Sequence, residues 1–388
     1  MLVSTYIYKH QPFTFSFFCL HNFRSTVPQT KFQIFMDNNN FKGNFSATAI
    51  GSYPHKNVDE ACDLILNTLT EIPCWPQLPE RDMREEMLVQ YTEGLPFLKL
   101  VPEEKKIYVD MPGDNTDGLE TFYNNYLSED VELFSISDSH AVGFSNMVRL
   151  LKERKPEHLR ATKGQIVGPI TLAGTLKNPE QISVLHDPVF FDVIVKLLAM
   201  KACWQIDKYS EFGLPCIIFL DEPYLSSYGS AFASLKKEQI IDSLNEIFLA
   251  IHNRKALSGI HCCGNTDWTM IMETQVDIIN FDAYGYMDTV LMYKGEVKSF
   301  LERGGILAWG IVPTTDSINE ATIDNLMEKL VSAVDYLINS GIEAKLVIEN
   351  SLITPSCGTG TMPLKEAEKA MNLTHELSVK IKDKYKII

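Results

Sequence analysis

The strongest constraint on the fold of this chain is the alternation, from residue 45 onward, of short apolar runs with longer helical patterns. Most of the runs are continuously apolar and rich in β-branched residues, which is typical of strands buried on both faces of a parallel sheet. Eight such runs separated by helices predict an α/β fold, a (β/α)8 TIM barrel that forms a single domain over residues 46–388. The runs are residues 47–50, 107–110, 165–167, 216–220, 257–261, 276–281, 305–309 and 346–349.

The segments between the runs carry apolar side chains at helical spacing. The clearest stripe covers residues 321–340 and ends at Gly341, a typical C-terminal cap. A doubly wound open sheet is the alternative fold, but no GxGxxG motif follows the first run. Residues 78–132 fit neither pattern and are predicted to be an insertion or extended loop near the mouth of the barrel. The other predicted helices cover residues 58–69, 188–213, 235–254 and 363–383.

The first 45 residues are predicted to be an N-terminal extension outside the barrel. Residues 1–35 contain nine aromatic side chains and no Asp or Glu, a composition unlike the rest of the chain. Their apolar run at residues 13–20 is short and lacks a small-residue cleavage site, so a signal peptide is the weaker alternative. We interpret the segment as an upstream extension with Met36 as the effective start, and expect a chain beginning there to fold normally.

Composition narrows the range of partners. The chain has 50 acidic and 35 basic residues, a formal net charge of −15, and no basic cluster, which argues against nucleic acid as a partner. No stretch approaches the ~18–20 apolar residues of a membrane span, so we expect no membrane insertion. The eight cysteines are scattered along the chain, which indicates reduced thiols and a cytoplasmic protein. A small molecule is the expected partner.

Four side chains that follow predicted strands form a candidate zinc site. His261 and Cys263 are two residues apart, so a continuing strand would project both from one face and Cys262 from the other. Asp282 and Cys357 follow the sixth and eighth runs, whose carboxyl ends open onto the same barrel mouth. Imidazole, thiolate and carboxylate are zinc ligands, so the sequence predicts Zn²⁺ held by these residues.

A second candidate site lies at the end of the fourth run, where Asp221 and Glu222 follow the apolar stretch CIIFL. Carboxylates in this position either cap a neighbouring helix or face the predicted cavity. We favour the second interpretation and predict that both residues bind substrate.

Several short motifs, taken together, resemble a known family. They are Ile50-Gly51-Ser52, Gly168-Pro169-Ile170-Thr171, Asp221-Glu222-Pro223, His261-x-Cys263, the strand 277–282 and Pro355-Ser356-Cys357-Gly358. In this order and spacing they resemble the catalytic C-terminal domain of cobalamin-independent methionine synthase, within the superfamily shared with uroporphyrinogen decarboxylase. The resemblance covers about residues 46–380 and implies a TIM barrel.

The resemblance also implies roles for particular residues. His261, Cys263 and Cys357 match the family's zinc ligands, and Asp282 stands where the family usually has a glutamate ligand. A further set matches positions near the substrate. In that set Ser52 and Asp221 would hold the amino-acid part of homocysteine, Asp221 would also be the catalytic carboxylate, and Glu86 falls in a segment similar to an Arg-x-Asp-Met motif.

Two departures from the family concern the methyl donor. The segment 309–313 has no histidine where the long enzymes carry a proton donor, and residues 172–175 have no tryptophan where those enzymes have one near the folate. The resemblance therefore implies zinc-dependent methyl transfer to a thiol, with homocysteine as acceptor and methionine as product. The expected donor is a methyl-corrinoid, either free methylcobalamin or a corrinoid protein, because its leaving group needs no protonation.

Two other functions remain open at this point. Residues 72–75 (IPCW), followed by Arg81 and Arg84, are faintly similar to the tetrapyrrole-binding region of uroporphyrinogen decarboxylase. That enzyme needs no metal, and its chemistry would leave His261, Cys263 and Cys357 without a role. The third interpretation is a non-catalytic zinc barrel that binds a corrinoid protein or senses thiols.

Overall fold

The computed structural model describes residues 41–111, 116–227 and 235–387, and residues 1–40 of the predicted extension lie outside this range. In these residues the chain alternates strands and helices, as the sequence predicts. The strands are β1 Ser46–Ala47, β2 Leu98–Val101, β3 Lys106–Val109, β4 Thr162–Val167, β5 Cys216–Asp221, β6 Leu257–Cys262, β7 Ile278–Phe281, β8 Ile306–Val312 and β9 Ser351–Pro355. The helices are α1 Val58–Thr68, α2 Met87–Gln90, α3 Asp117–Leu127, α4 Asp138–Arg154, α5 Pro169–Thr175, α6 Pro188–Tyr209, α7 Lys237–Asn253, α8 Trp268–Glu273, α9 Met287–Leu291, α10 Lys294–Glu302, α11 Ile323–Asn339, α12 Ala344–Glu349 and α13 Leu364–Tyr385.

Seven of the strands form one curled parallel sheet in the order β1-β9-β8-β7-β6-β5-β4. This confirms the α/β class and the parallel sheet. The ladder does not close into a ring of regular strands. Between its outer strands β1 and β4 lies a segment that we call the seam, residues 73–77. It pairs through isolated parallel bridges, Cys74 with Lys163 and Gln77 with Ser52.

Two of the eight predicted strands do not belong to the parallel sheet: one pairs in a separate hairpin, and one is part of a helix. The run at 107–110 forms β3, but it pairs antiparallel with β2 in a separate hairpin within the predicted insertion. The run at 346–349 lies in helix α12, and the strand follows it as β9. A short apolar run fits a buried helix as well as a buried strand, so its pattern alone cannot decide between them.

The concave face of the sheet is apolar at one end and polar at the other. Ile217, Leu257, Ile278 and Leu352 belong to one buried cluster near the amino ends of their strands. Towards the carboxyl ends the buried residues are polar, namely Asp221, His261, Asn280 and Thr354. Because buried polar groups need partners, this change of composition makes the carboxyl end of the sheet the candidate location of a site.

Helices cover the convex face and bury a second, larger apolar cluster against it. Their bounds agree with the sequence patterns to within a few residues, and α11 begins with a capping box made by Thr322 and Asn325. Within the described ranges, no helix is both long and apolar enough to cross a membrane.

Gly259 is required for packing beneath His261, since it pairs in register with Phe219 on the neighbouring strand. A Cβ atom at position 259 would lie 2.2 Å from the Phe219 ring. We expect Gly259→Ala to lower the free energy of unfolding by about 2 kcal/mol through overpacking, measured by urea denaturation. Gly295→Ala on α10, where a Cβ meets no atom within 4 Å, is the matched control and should not destabilise the protein. Equal stability of both variants would contradict this account.

Candidate metal centre and its surroundings

Three of the four predicted metal ligands meet at the polar end of the sheet. His261 lies on β6, Cys263 follows that strand, and Cys357 lies in the loop after β9. Strands β7 and β8 separate β6 from β9, so the curl of the sheet is what brings these loops together. One potential ligand atom from each residue lies within 4.8 Å of the other two.

The orientation of His261 is fixed by a buried hydrogen-bond chain. Its Nδ1 lies 2.5 Å from the side-chain oxygen of Asn280. The Asn280 amide donates in turn to the Ala308 carbonyl at 2.9 Å and to the Thr354 hydroxyl at 2.7 Å. Since the amide nitrogen is used for these bonds, the Asn280 oxygen accepts from Nδ1–H. The buried Nε2 then presents a lone pair and has no hydrogen-bond partner in the described part of the chain.

The thiols of Cys263 and Cys357 shift each other's pKa in opposite directions. The hydrogen bond from Cys357, followed by the nearby His261 imidazole, lowers the pKa of Cys263 well below the usual value for a thiol. The same hydrogen bond, together with burial, raises the pKa of Cys357. Two sulfur atoms beside an imidazole nitrogen form a donor set that suits a tetrahedral, sulfur-binding cation such as zinc.

Asp282 and Cys262 lie beside this group and are not part of it. Asp282 follows β7, and its Oδ1 accepts the Gly285 N–H at 2.7 Å, so its role as a ligand stays a prediction. The thiol of Cys262 lies 3.6 Å from the Gly264 carbonyl and is buried on the other side of the strand.

Asp221 and Glu222 have different surroundings. Asp221 pairs in register with His261, its Oδ1 is buried without a hydrogen-bond partner among the described residues, and burial raises its pKa to about 6. Glu222 instead accepts the N–H groups of Ile170 at 2.9 Å and Thr171 at 2.8 Å, and the Thr171 hydroxyl at 2.6 Å. Its carboxylate therefore caps the first turn of α5. Its role in substrate binding stays a prediction.

Ser52 lies against the loop that carries Cys357, and Glu86 lies at the exposed start of α2. The Ser52 carbonyl accepts both the N–H and the hydroxyl of Thr359 at 2.9 Å, and its Oγ accepts the Gly360 N–H at 3.3 Å. Glu86 is exposed at the start of α2, where its backbone carbonyl accepts from Val89. The structure therefore places Ser52 against the loop of the metal centre, and the role of Glu86 in substrate binding stays a prediction.

The sequence analysis missed Glu85, which is the buried carboxylate of this segment. It accepts the Leu78 N–H at 3.2 Å and forms an ion pair with Arg81. Burial raises its pKa from the usual 4.5 to about 7, against the opposing effect of Arg81. Its burial could not be predicted from the sequence, because Met83–Glu85 form a 3-10 helix of only three residues, which is too short to show an apolar periodicity.

The raised pKa of Glu85 predicts a pH dependence of stability. Between pH 4.5 and about 7 the folded protein holds a proton that the unfolded chain releases. The free energy of unfolding should therefore fall as the pH rises through this window, by at most about 1.4 kcal/mol per pH unit. Denaturation curves of Glu85→Gln should show a shallower fall than the unaltered protein, and identical pH slopes would contradict the prediction.

Comparison with solved structures supports the fold. A B12-independent methionine synthase from Shewanella sp. W3-18-1, solved in complex with selenomethionine, matches with a TM-score of 0.58 and 14% identity, covering 89% of this chain and 99% of that chain. A pneumococcal exo-β-D-N-acetylglucosaminidase has a TM-score of 0.39 at 10% identity, covering 86% and 85%. A Xanthomonas albilineans dihydropteroate synthase has a TM-score of 0.24 at 11% identity, covering 61% and 86%. No protein-family model and no curated protein matches the sequence.

These findings define the fold class of the protein and a candidate metal site. The chain is an α/β protein with a curled parallel sheet, and a His/Cys/Cys group that could hold a metal ion lies at the carboxyl end of that sheet. At 14% identity the methionine synthase shares the fold, and the two lower TM-scores carry no weight.

Proposed function

We propose that this protein is a zinc-dependent methyltransferase that moves a methyl group to the thiol of homocysteine and forms methionine. The observation that carries the proposal is the meeting of one imidazole and two cysteine sulfur atoms beside Asp221, whose buried Oδ1 has no hydrogen-bond partner among the described residues. The methionine synthase with the related fold, solved with selenomethionine, supports the same chemistry. In this proposal the sheet is a TIM barrel, with the seam in place of an eighth strand.

The residues present fit a zinc ion. The buried Nε2 of His261 has no hydrogen-bond partner among the described residues, and together with the two sulfur atoms it would fill three of the four positions of a tetrahedral site. Asp282 is a further candidate ligand from the sequence. A bound zinc ion would supply the positive charge that lowers the pKa of a substrate thiol and favours its thiolate at neutral pH.

The chain's own residues bind and orient the acceptor. Asp221 accepts hydrogen bonds from the ammonium group of the amino acid with its unpaired Oδ1, in a buried setting where such bonds are strong. Ser52 is held by Thr359 and Gly360 and contacts the same amino-acid part of the substrate. In the transfer, the acceptor sulfur forms a bond to the methyl carbon. The bond between methyl and donor breaks, its electron pair stays with the donor, and the thiol proton goes to solvent.

The donor in this proposal is a methyl-corrinoid. A folate donor needs an acid for its leaving nitrogen and an aromatic wall for its pterin. The segment 172–175 offers no aromatic side chain and the segment 310–313 offers no acid. Leu172 and Ala173 are buried in the core. A departing cob(I)alamin needs no proton.

The test is a methyl-transfer assay on purified, zinc-loaded protein with homocysteine and either methylcobalamin or methyl-tetrahydrofolate. We expect methionine to form at least about tenfold faster from methylcobalamin than from methyl-tetrahydrofolate. This ratio corresponds to a difference of about 1.4 kcal/mol in activation free energy. Equal rates from both donors would overturn the choice of donor and direct attention to His140 or His186 as the acid. No methionine from either donor would overturn the proposed function.

A further inference from the structure

Lys163 on β4 is a buried cation to which the proposed function above assigns no role. Its side chain is fully buried inside the curl of the sheet. The ammonium donates to the backbone carbonyl of Ile50 and, at 3.2 Å, to the side-chain oxygen of Gln165. It also lies 4.6 Å from the centre of the Phe219 ring. No carboxylate of the described residues lies within 4.0 Å of it.

Burying the Lys163 ammonium costs free energy. Burial lowers the pKa of Lys163 to about 8, which reflects the cost of removing the ammonium from water. A buried charge without an ion-pair partner costs free energy at its site. A stabilising role alone therefore does not account for a lysine here, and its hydrogen-bond partners indicate another role.

Lys163 borders the seam, where the sheet has no continuous ladder, because its bridge partner is Cys74. The Gly51 carbonyl accepts the Gln77 N–H at 2.8 Å, and the Tyr53 N–H donates to the Gln77 carbonyl at 2.9 Å. The Ile50 carbonyl, between β1 and this pairing, is bonded by the lysine. Gly51 has a φ of +151°, and a Cβ there would lie 2.7 Å from the Gln165 side chain. The turn 50–52 thus rests on two side chains of β4.

We propose that Lys163 is a positioning residue that fixes the turn 50–52 and thereby presents Ser52 to the amino-acid acceptor. The inference rests on the proposed function, because it assigns Ser52 to the acceptor site. The chain of contacts runs from the Lys163 ammonium to the Ile50 carbonyl, along two peptide units to Ser52, and from Ser52 to Thr359 beside Cys357. Without the ammonium, the Ile50 carbonyl loses a buried partner and the turn gains freedom.

The experiment compares Lys163→Met with Lys201→Met. Lys201 is the matched control, since it is also fully buried and its ammonium lies 3.4 Å from the backbone carbonyl oxygens of Phe134 and Ser135, on a helix outside the sheet. Zinc content, methionine affinity by calorimetry and amide hydrogen exchange over residues 50–53 and 359 are measured for both variants.

For Lys163→Met we expect unchanged zinc content, at least about tenfold weaker methionine binding and faster exchange in both segments. Lys201→Met should alter neither the binding nor this exchange. Methionine binding and exchange at the level of the unaltered protein in Lys163→Met would overturn the inference. If Lys163→Met does not fold, Lys163→Gln, which keeps a polar group on a side chain one bond shorter, is measured with the same expected and contradicting results.

The failure of the inference and of the proposed function are distinguishable. If the unaltered protein binds neither homocysteine nor methionine, the proposed function fails, and hydrogen exchange in the two variants still decides whether Lys163 fixes the turn. If the unaltered protein binds methionine and Lys163→Met binds it equally well, the inference alone fails.

Discussion

Replacing Cys357 with serine should lower the affinity for zinc by more than about 100-fold, the largest effect we expect from any single substitution. The variant removes one of the three side chains that converge within 4.8 Å and leaves a hydroxyl, a poor zinc ligand. Loss of a group that merely supports a ligand already costs ~10–100-fold, so loss of a ligand should cost at least as much. Competition with a chromophoric chelator measures the change.

Cys262→Ser is the matched control for this prediction. Cys262 is adjacent to Cys263, equally a thiol, and bonded towards Gly264 instead of the metal group. Its serine variant should retain one zinc per chain after dialysis. Stoichiometric zinc in Cys357→Ser would show that the metal centre has been assigned to the wrong residues.

The second large effect is expected from Asp221→Asn, which should weaken homocysteine binding about 30-fold. The asparagine keeps the shape of the side chain and removes the charge that would bind the ammonium group. Removing one member of a buried, hydrogen-bonded charge pair costs about 2 kcal/mol or more, which is ~30-fold in affinity. Calorimetric titration of the zinc-loaded protein with homocysteine measures this change.

Asp288→Asn is the control for the loss of one negative charge, since Asp288 is exposed on α9 at the same end of the sheet. It should leave homocysteine binding unchanged. Zinc content should be unchanged in both variants. If Asp221→Asn binds homocysteine as tightly as Asp288→Asn does, the carboxylate of Asp221 does not hold the ammonium group.

The fold could be predicted from sequence where strands are buried on both faces. Cys216–Asp221 and Leu257–Cys262 are continuous apolar runs, and both occupy the centre of the sheet as predicted. The seam could not be predicted, because Pro73 and Pro76 interrupt its pattern and proline disfavours an interior strand. Its pairing depends on isolated bridges and on side chains of β4, which are contacts across long sequence separations.

The metal centre could be predicted in part from the sequence, because strand alternation assigns His261 and Cys263 to one face. The different surroundings of Asp221 and Glu222 could not be predicted from the sequence. Adjacent carboxylates look alike in sequence, and the difference arises because the first turn of α5 takes one of them as its cap. Asn280 is recognisable in the sequence as a polar residue within the apolar strand IINF. Its hydrogen bond to His261 could not be inferred from the sequence.

The most direct test of a substrate-binding zinc centre is X-ray absorption at the zinc edge, recorded with and without homocysteine. We predict two sulfur neighbours from Cys263 and Cys357 in the zinc-loaded protein, and three once the homocysteine thiolate binds. A parallel sample with serine in place of homocysteine controls for the amino-acid part of the acceptor. A sulfur count that does not change with homocysteine would contradict the account and favour a closed, non-catalytic zinc site.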